Sequence, residues 1–175
     1  MPPKTKISYQ PDPKDIEIVS KIASEFLHEK VSSVKSLGEG SNNKNFLLET
    51  LNNKVVVKLS HEKKSHRAFQ DYGKEKWCIE RSSALGIPGP SVLAVGETDN
   101  NAYMIETLVF GINGKEVVGD KTKIWQKLGE YTKLIHSTKV TGFGENLFDD
   151  TPDGQKPRPI SISKRHFCWV KGEEF

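Results

Sequence analysis

The chain has 175 residues, enough for one ordinary domain or two small lobes burying roughly 70% of the surface that the unfolded chain exposes. Its 26 Lys and Arg against 23 Asp and Glu leave a formal net charge of +3, and the signs alternate along the sequence rather than gathering into a basic block, which argues against a nucleic-acid partner. No window approaches the apolar length of a membrane span, the first residues carry no apolar signal region, and Cys78 and Cys168 form neither a C-x-x-C unit nor a disulfide framework, so a soluble cytoplasmic chain with no membrane partner is expected.

The stretch PDPKDIEIVSKIASEFLHEK opens with Asp12 as a helix N-cap, Pro13 in the first helical position and Asp15 in the first turn, where negative charge suits the helix dipole. Ile16, Val19, Ile22, Ala23, Phe26 and Leu27 recur at helical spacing and predict an amphipathic helix within residues 1–30. From Val31 the period becomes that of strands, in VSSVKSL, NFLLETL and KVVVKLS, with Asn52-Asn53 turning the second into the third. The basic cluster HEKKSHR at 61–67 has no interleaved aromatics and reads as a solvated loop or first helical turn. Residues 64–85 then predict a helix that stops at Gly86, with Pro88 and Pro90 beyond, and that carries Glu75, Cys78, Ile79, Ser82 and Leu85 around one side.

SVLAVGE and AYMIETLV, separated by TDNN, complete a set of five strands. After the glycine-rich connector FGINGKEVVGD, the segment KTKIWQKLGEYTKLIHS places Ile124, Trp125, Leu128, Tyr131, Thr132 and Ile135 at helical spacing, and the turn-rich remainder predicts no regular element. His61 and His66 lack the carboxylate or cysteine company of metal ligands.

The order is strand, glycine turn, hairpin, strand ending in lysine, helix with a glutamate, two strands and a connector. In LGEGSNNKNF, VVVKL, KEKWCIERSSALGIPGPSVLAVG, YMIETLVFG and LGEYTKLIHS…GFG, over about residues 30–145, the chain resembles the aminoglycoside phosphotransferase family. The resemblance implies an α+β fold: a kinase-like N-lobe at 31–110, with a five-stranded antiparallel sheet and a packed helix. A helical segment at 1–30 would precede it, and a hinge with the truncated start of a helical C-lobe would follow at 111–175.

The resemblance also implies that ATP lies in a cradle built from this chain. Gly38 and Gly40 would let backbone N–H groups of Ser41 and Asn42 approach the phosphates, with Phe46 packed beneath the loop. Lys58 would pair with the α- and β-phosphates and Glu75, chosen over Glu80 for its spacing from GIPGP, would hold that lysine. Strand alternation puts Val56 on the same face as Lys58, where it would roof the cleft. Backbone groups of Glu106 and Leu108 would meet the adenine edge, and Met104 or Ile105 would line the pocket behind the base.

Taken singly, each motif has a plain reading: a hairpin turn, an edge lysine, a surface carboxylate. Order and spacing together carry the resemblance. The glycine loop lacks the third glycine of protein kinases, continuing instead with Asn43. The family's H-G-D-x-x-x-x-N loop is not found either: Asp120, Asp149, Asp150 and Asp153 lie in no such setting, and His166 precedes Phe167-Cys168. The expectation is therefore an ATP-binding portion of a kinase that phosphorylates a hydroxyl of a small molecule, with Mg²⁺ ligands and catalytic residues elsewhere. The alternative is a non-catalytic nucleotide-binding or interaction module derived from such a lobe.

Overall fold

The computed structural model describes residues 11–138, apart from 41, 62–64, 99, 113 and 115. The fold is α+β, with helices and strands in the order α1 (Pro13–Leu27), β1 (Ser33–Glu39), β2 (Asn43–Glu49), β3 (Lys54–Ser60), α2 (Ser65–Ala84), β4 (Val92–Glu97), β5 (Ala102–Thr107) and α3 (Thr122–His136). One sheet contains all five strands in the order β1-β2-β3-β5-β4, and every neighbouring pair is antiparallel.

Helix α1 starts where Asp12 accepts a hydrogen bond from the Lys14 amide at 2.9 Å, with Pro13 behind it, and it ends at His28 in the left-handed conformation, φ 55°. Its inward stripe is Asp15, Val19, Ile22 and Ala23, with Ile18 and Leu27 at the margin. Phe26, expected on that stripe, is 39% exposed. The stripe packs on Phe46, Leu48, Val55, Val57, Leu59 and Ile105.

These strand residues alternate with a second set, because successive side chains of a strand leave opposite faces. Met104 and Ala102 of β5 meet Ala68 and Tyr72 of α2 on the other face, beside Val92 and Val95. The sheet is thus sandwiched between α1 and α2. Helix α2 runs through Gly73 as expected, but its packed side is Ala68 and Tyr72 rather than Cys78, Ile79 and Ser82. Those three line a shallow pocket of about 160 Å³ with Glu75, Ser83 and the Ile87–Pro90 turn.

Polar ties fix the ends of the strands. At the turn from β2 to β3, Asn52 and Asn53 donate through their side-chain amides to Glu29 Oε1 at 3.0 and 3.2 Å, joining the hairpin to the chain just past α1. At the far end of β3, the buried Asn101 donates to the Ser60 carbonyl at 2.7 Å, while the Ser60 hydroxyl accepts from the Ala102 amide at 2.9 Å. Helix α3 forms where the periodicity places it, and no residue in it is buried; Trp125 is 67% exposed. Among the described residues, no helix is long and apolar enough to cross a membrane.

Asp15 is the polar member of the α1 stripe. Its carboxylate lies 2.7 Å from Lys44 Nζ on β2, with both side chains largely shielded. Asp15→Ala would leave that ammonium without this partner at a low-dielectric boundary, and a charge-assisted hydrogen bond contributes about 1.5–3 kcal/mol. Urea denaturation should show the variant less stable by that amount with an unchanged m-value.

Candidate functional site

The site is built on the α2-facing side of the sheet. Because Val55, Val57 and Leu59 of β3 turn to the α1 core, Val56 and Lys58 turn the other way. Lys58 is flanked across the ladders by Asn45 of β2 and Met104 of β5, and Val56 by Leu47 and Glu106. Met104 is fully buried and Val56 is buried, so the stem of Lys58 rises from an apolar floor.

The ammonium meets two carboxylates. Lys58 Nζ donates to Glu75 Oε1 at 2.6 Å, and Glu106 Oε2 lies 3.2 Å away. Glu80, the rival in sequence, faces Lys76 at 3.8 Å instead. Tyr72, almost one turn before Glu75, is the residue that sets this register: its ring is buried against the Met104 cluster, and Glu75 is carried to the edge of the same packed side. Burial pushes the Tyr72 hydroxyl well above its ordinary pKa.

The role of the Glu106 side chain was missed in sequence, where only its backbone was assigned. Period-2 alternation along β5 does contain the signal, since it puts Glu106 on the face of Met104 and hence of Lys58. The Glu106 side chain is only 10% exposed. Burial raises its pKa, the nearby positive charge of Lys58 works against that, and the Glu75 charge adds to it. For Lys58, burial acts downward, but the hydrogen bond and charge of Glu75 and the charge of Glu106 outweigh it and leave the pKa raised. Oε2 of Glu106 has the distance of an ion pair to Lys58 but no hydrogen bond, and Asn45 Oδ1 on the same face is also buried without one.

The glycine turn is tighter than the sequence implied. Strand β1 continues past Ser36 through a bulge to Glu39, with Gly38 opposite Asn45, so the connection to β2 is only residues 40–42. Gly38 has φ 131°, a backbone state that side chains rarely adopt, and nothing lies within 4 Å of where a Cβ would stand. The Gly40 amide bonds to the Asn43 carbonyl at 2.8 Å, closing the turn. His61, just past β3, has Nε2 3.2 Å from the Gly40 carbonyl oxygen, which accepts from it, and so ties the turn to the strand that carries Lys58. Asn42 is exposed at the tip, and Ser41 lies outside the described residues.

Phe46 takes a different position from the one expected: opposite Ser36 and Val57, it is wholly buried in the α1 layer, on the face away from Lys58. Ile105 likewise joins the α1 core, which leaves Met104, not Ile105, on the site face. Leu108 follows the last residue of β5 and is half-buried. Asp120 accepts hydrogen bonds from the amide and hydroxyl of Thr122 at 2.9 and 2.6 Å, a capping role at the start of α3. Asp149, Asp150, Asp153 and His166 lie outside the described residues. Among the described residues, no three His, Cys, Asp or Glu side chains converge to hold a metal ion.

No family model matches the sequence. A curated relative, an uncharacterized protein in the ileS 3' region of Staphylococcus aureus, is 27% identical over 117 residues, which cover 67% of this chain and 85% of the relative. Among solved structures, aminoglycoside phosphotransferase APH(4)-Ia in a ternary complex with AMP-PNP and hygromycin B superposes with a TM-score of 0.57 at 21% identity, over 72% of this chain and 42% of the enzyme. Spectinomycin phosphotransferase APH(9)-Ia in complex with ADP and spectinomycin gives 0.54 at 14% identity, over 71% and 38%. A putative fructosamine-3-kinase from Haemophilus somnus gives 0.53 at 14% identity, over 71% and 40%. The chain spans about two-fifths of the length of these enzymes. Its five-stranded antiparallel sheet with packed helices has the kinase-like fold of the N-terminal lobe of the aminoglycoside phosphotransferases.

Proposed function

We propose that this chain is the ATP-binding N-terminal portion of an aminoglycoside phosphotransferase-like kinase, whose whole acts on a hydroxyl of a small molecule. The observation that carries the reading is the Lys58–Glu75 pair, held at 2.6 Å on the sheet face that lies beside the Gly38 bulge. An ammonium has three donors, and Glu75 takes one by hydrogen bond, so Lys58 can still donate to phosphate oxygens. The space around Gly38 is open. These residues fit a nucleotide triphosphate, which would supply the transferable phosphoryl group.

In this reading residues 31–110 form the cradle. Glu75 orients Lys58, Lys58 neutralises charge on the α- and β-phosphates, Val56 and Met104 supply apolar contact to the base, and backbone groups of Glu106 and Leu108 meet its edge. The Gly38–Asn42 turn, Ser41 included, gives amides to the phosphates. Mg²⁺ is proposed for the whole enzyme, and no described residue of this chain is assigned as its ligand.

Lys58→Ala should weaken ATP binding by roughly ten- to a hundredfold, the worth of one charge-assisted hydrogen bond. Lys58→Arg should not restore it, because a planar fork does not reproduce a compact ammonium. Calorimetry on the purified chain checks both, and equal affinity in wild type and Lys58→Ala would remove Lys58 from the site. The chain by itself should show no phosphoryl transfer from labelled ATP to a panel of aminoglycosides and amino alcohols, because no described residue serves as base or metal ligand. Turnover that survives repurification and disappears in Lys58→Ala would overturn that expectation.

A further inference from the structure

Lys58 is served by two carboxylates where one suffices to orient it. Glu75, whose side chain is 39% exposed, places Oε1 at hydrogen-bond distance, 2.6 Å, from Lys58 Nζ, whereas Glu106, only 10% exposed, places Oε2 at 3.2 Å. The trio therefore carries one positive and two negative charges, a net charge of −1 in a partly water-excluded place. A site meant to receive a polyphosphate is thereby charged with the wrong sign. Glu75 can relax into solvent, but Glu106 is fixed in β5 between Val56 and Val92 and has no such exit.

We propose that Glu106 is a second positioning carboxylate for Lys58, one that holds the ammonium until a polyphosphate engages it and is then neutralised by a proton from solvent. The inference rests on the nucleotide-binding reading above. Its chemistry is local. Incoming phosphate oxygens take the Lys58 donor that Glu106 now attracts, and a carboxylate deprived of its cation beside Glu75 and a polyanion is favoured in its neutral form. The proton goes onto the Glu106 carboxyl, turning an acceptor that has no hydrogen bond in this structure into a donor.

Among the described residues, the charged groups that act on Glu106 are Lys58 from β3 and Glu75 from α2; its neighbours across the ladders, Val56 and Val92, are uncharged. Burial and the Glu75 charge already act to raise the Glu106 pKa, the direction that favours its neutral form. The sign follows. Ligand binding raises that pKa further, so affinity should strengthen as pH falls through the bound-state value and be weakest where Glu106 stays ionised.

The test is calorimetric titration of the full chain with ATP and Mg²⁺ between about pH 6 and pH 8, in pairs of buffers of different ionisation heat, so that protons taken up per nucleotide are counted. The wild type should take up a fraction of a proton that approaches one near the titration of Glu106. Glu106→Gln, which keeps the shape and removes the charge, should abolish that uptake and tighten binding by roughly three- to tenfold at the alkaline end, where the wild type is weakest. Glu106→Asp, with a shorter reach to Lys58, should retain a pH dependence.

Equal affinity in wild type and Glu106→Gln, with no proton uptake in the wild type while Lys58→Ala still weakens binding, would overturn this inference and leave the nucleotide reading standing. Absence of nucleotide binding in wild type and Glu106→Gln alike would overturn the reading and the inference together. Should Glu106→Gln fail to fold, the wild-type proton count decides alone: a count of zero across the range overturns the proposal.

Discussion

Strand β3 can send only every second side chain to each face of the sheet, and the rest of the lobe is arranged around that limit. Val55, Val57 and Leu59 are committed to the α1 core, each 3% exposed or less. The intervening Val56 and Lys58 are left for the other face, which α2 only partly covers. A cation in that position is neither a buried charge nor a surface one. It is held among apolar neighbours yet can still be reached from the glycine turn, and its neighbours across the ladders, Asn45 and Met104, are set by the same register. A slip of one residue in β3 would put the ammonium into the α1 core and a valine into the cleft.

The electrostatics of the face follow from that placement. Desolvation by itself lowers the pKa of Lys58, and the two glutamates more than offset it. The groups that favour the charge on Lys58 are thus groups that repel phosphate. Sharing the task between a partly exposed Glu75 and a buried Glu106 separates orientation from charge balance. The first carboxylate can move with α2; the second moves only with the sheet.

Much of this was legible in the sequence wherever local chemistry and periodicity agree. Asp12-Pro13 begins α1 because a cap and a fixed φ are properties of those residues alone, and Asn52-Asn53 turns the β2–β3 hairpin for the same reason. The Lys58–Glu75 pair could be read because the spacing of Glu75 from GIPGP follows the family resemblance, and the structure brings the two together. What stayed hidden depends on tertiary packing. The inward side of α2 is Ala68 and Tyr72, although the apolar pattern favoured Cys78 and Ile79, because the sheet beneath presents Met104 and Ala102 rather than a wide apolar surface. Phe46 looked like a support for the glycine turn, but parity with Leu48 sends it to α1. A bulge puts one extra residue into β1 between Ser36 and Gly38, and pairing then continues to Glu39 opposite Lys44, closer to the turn than the strand pattern alone indicates.

The tie between Asn101 and Ser60 has a consequence for how the lobe can come apart. It fastens the exit of β3 to the entry of β5 through two hydrogen bonds of 2.7 and 2.9 Å, without help from α2, which lies between those strands in the chain. The sheet can therefore keep its strand order while α2 loosens, and α2 forms the outer, separately yielding layer of the lobe. In a folded population such a layer opens at lower free energy than the strands it covers. That opening breaks the Glu75 hydrogen bond to Lys58 first, while Glu106 stays on the sheet to keep the ammonium from being orphaned.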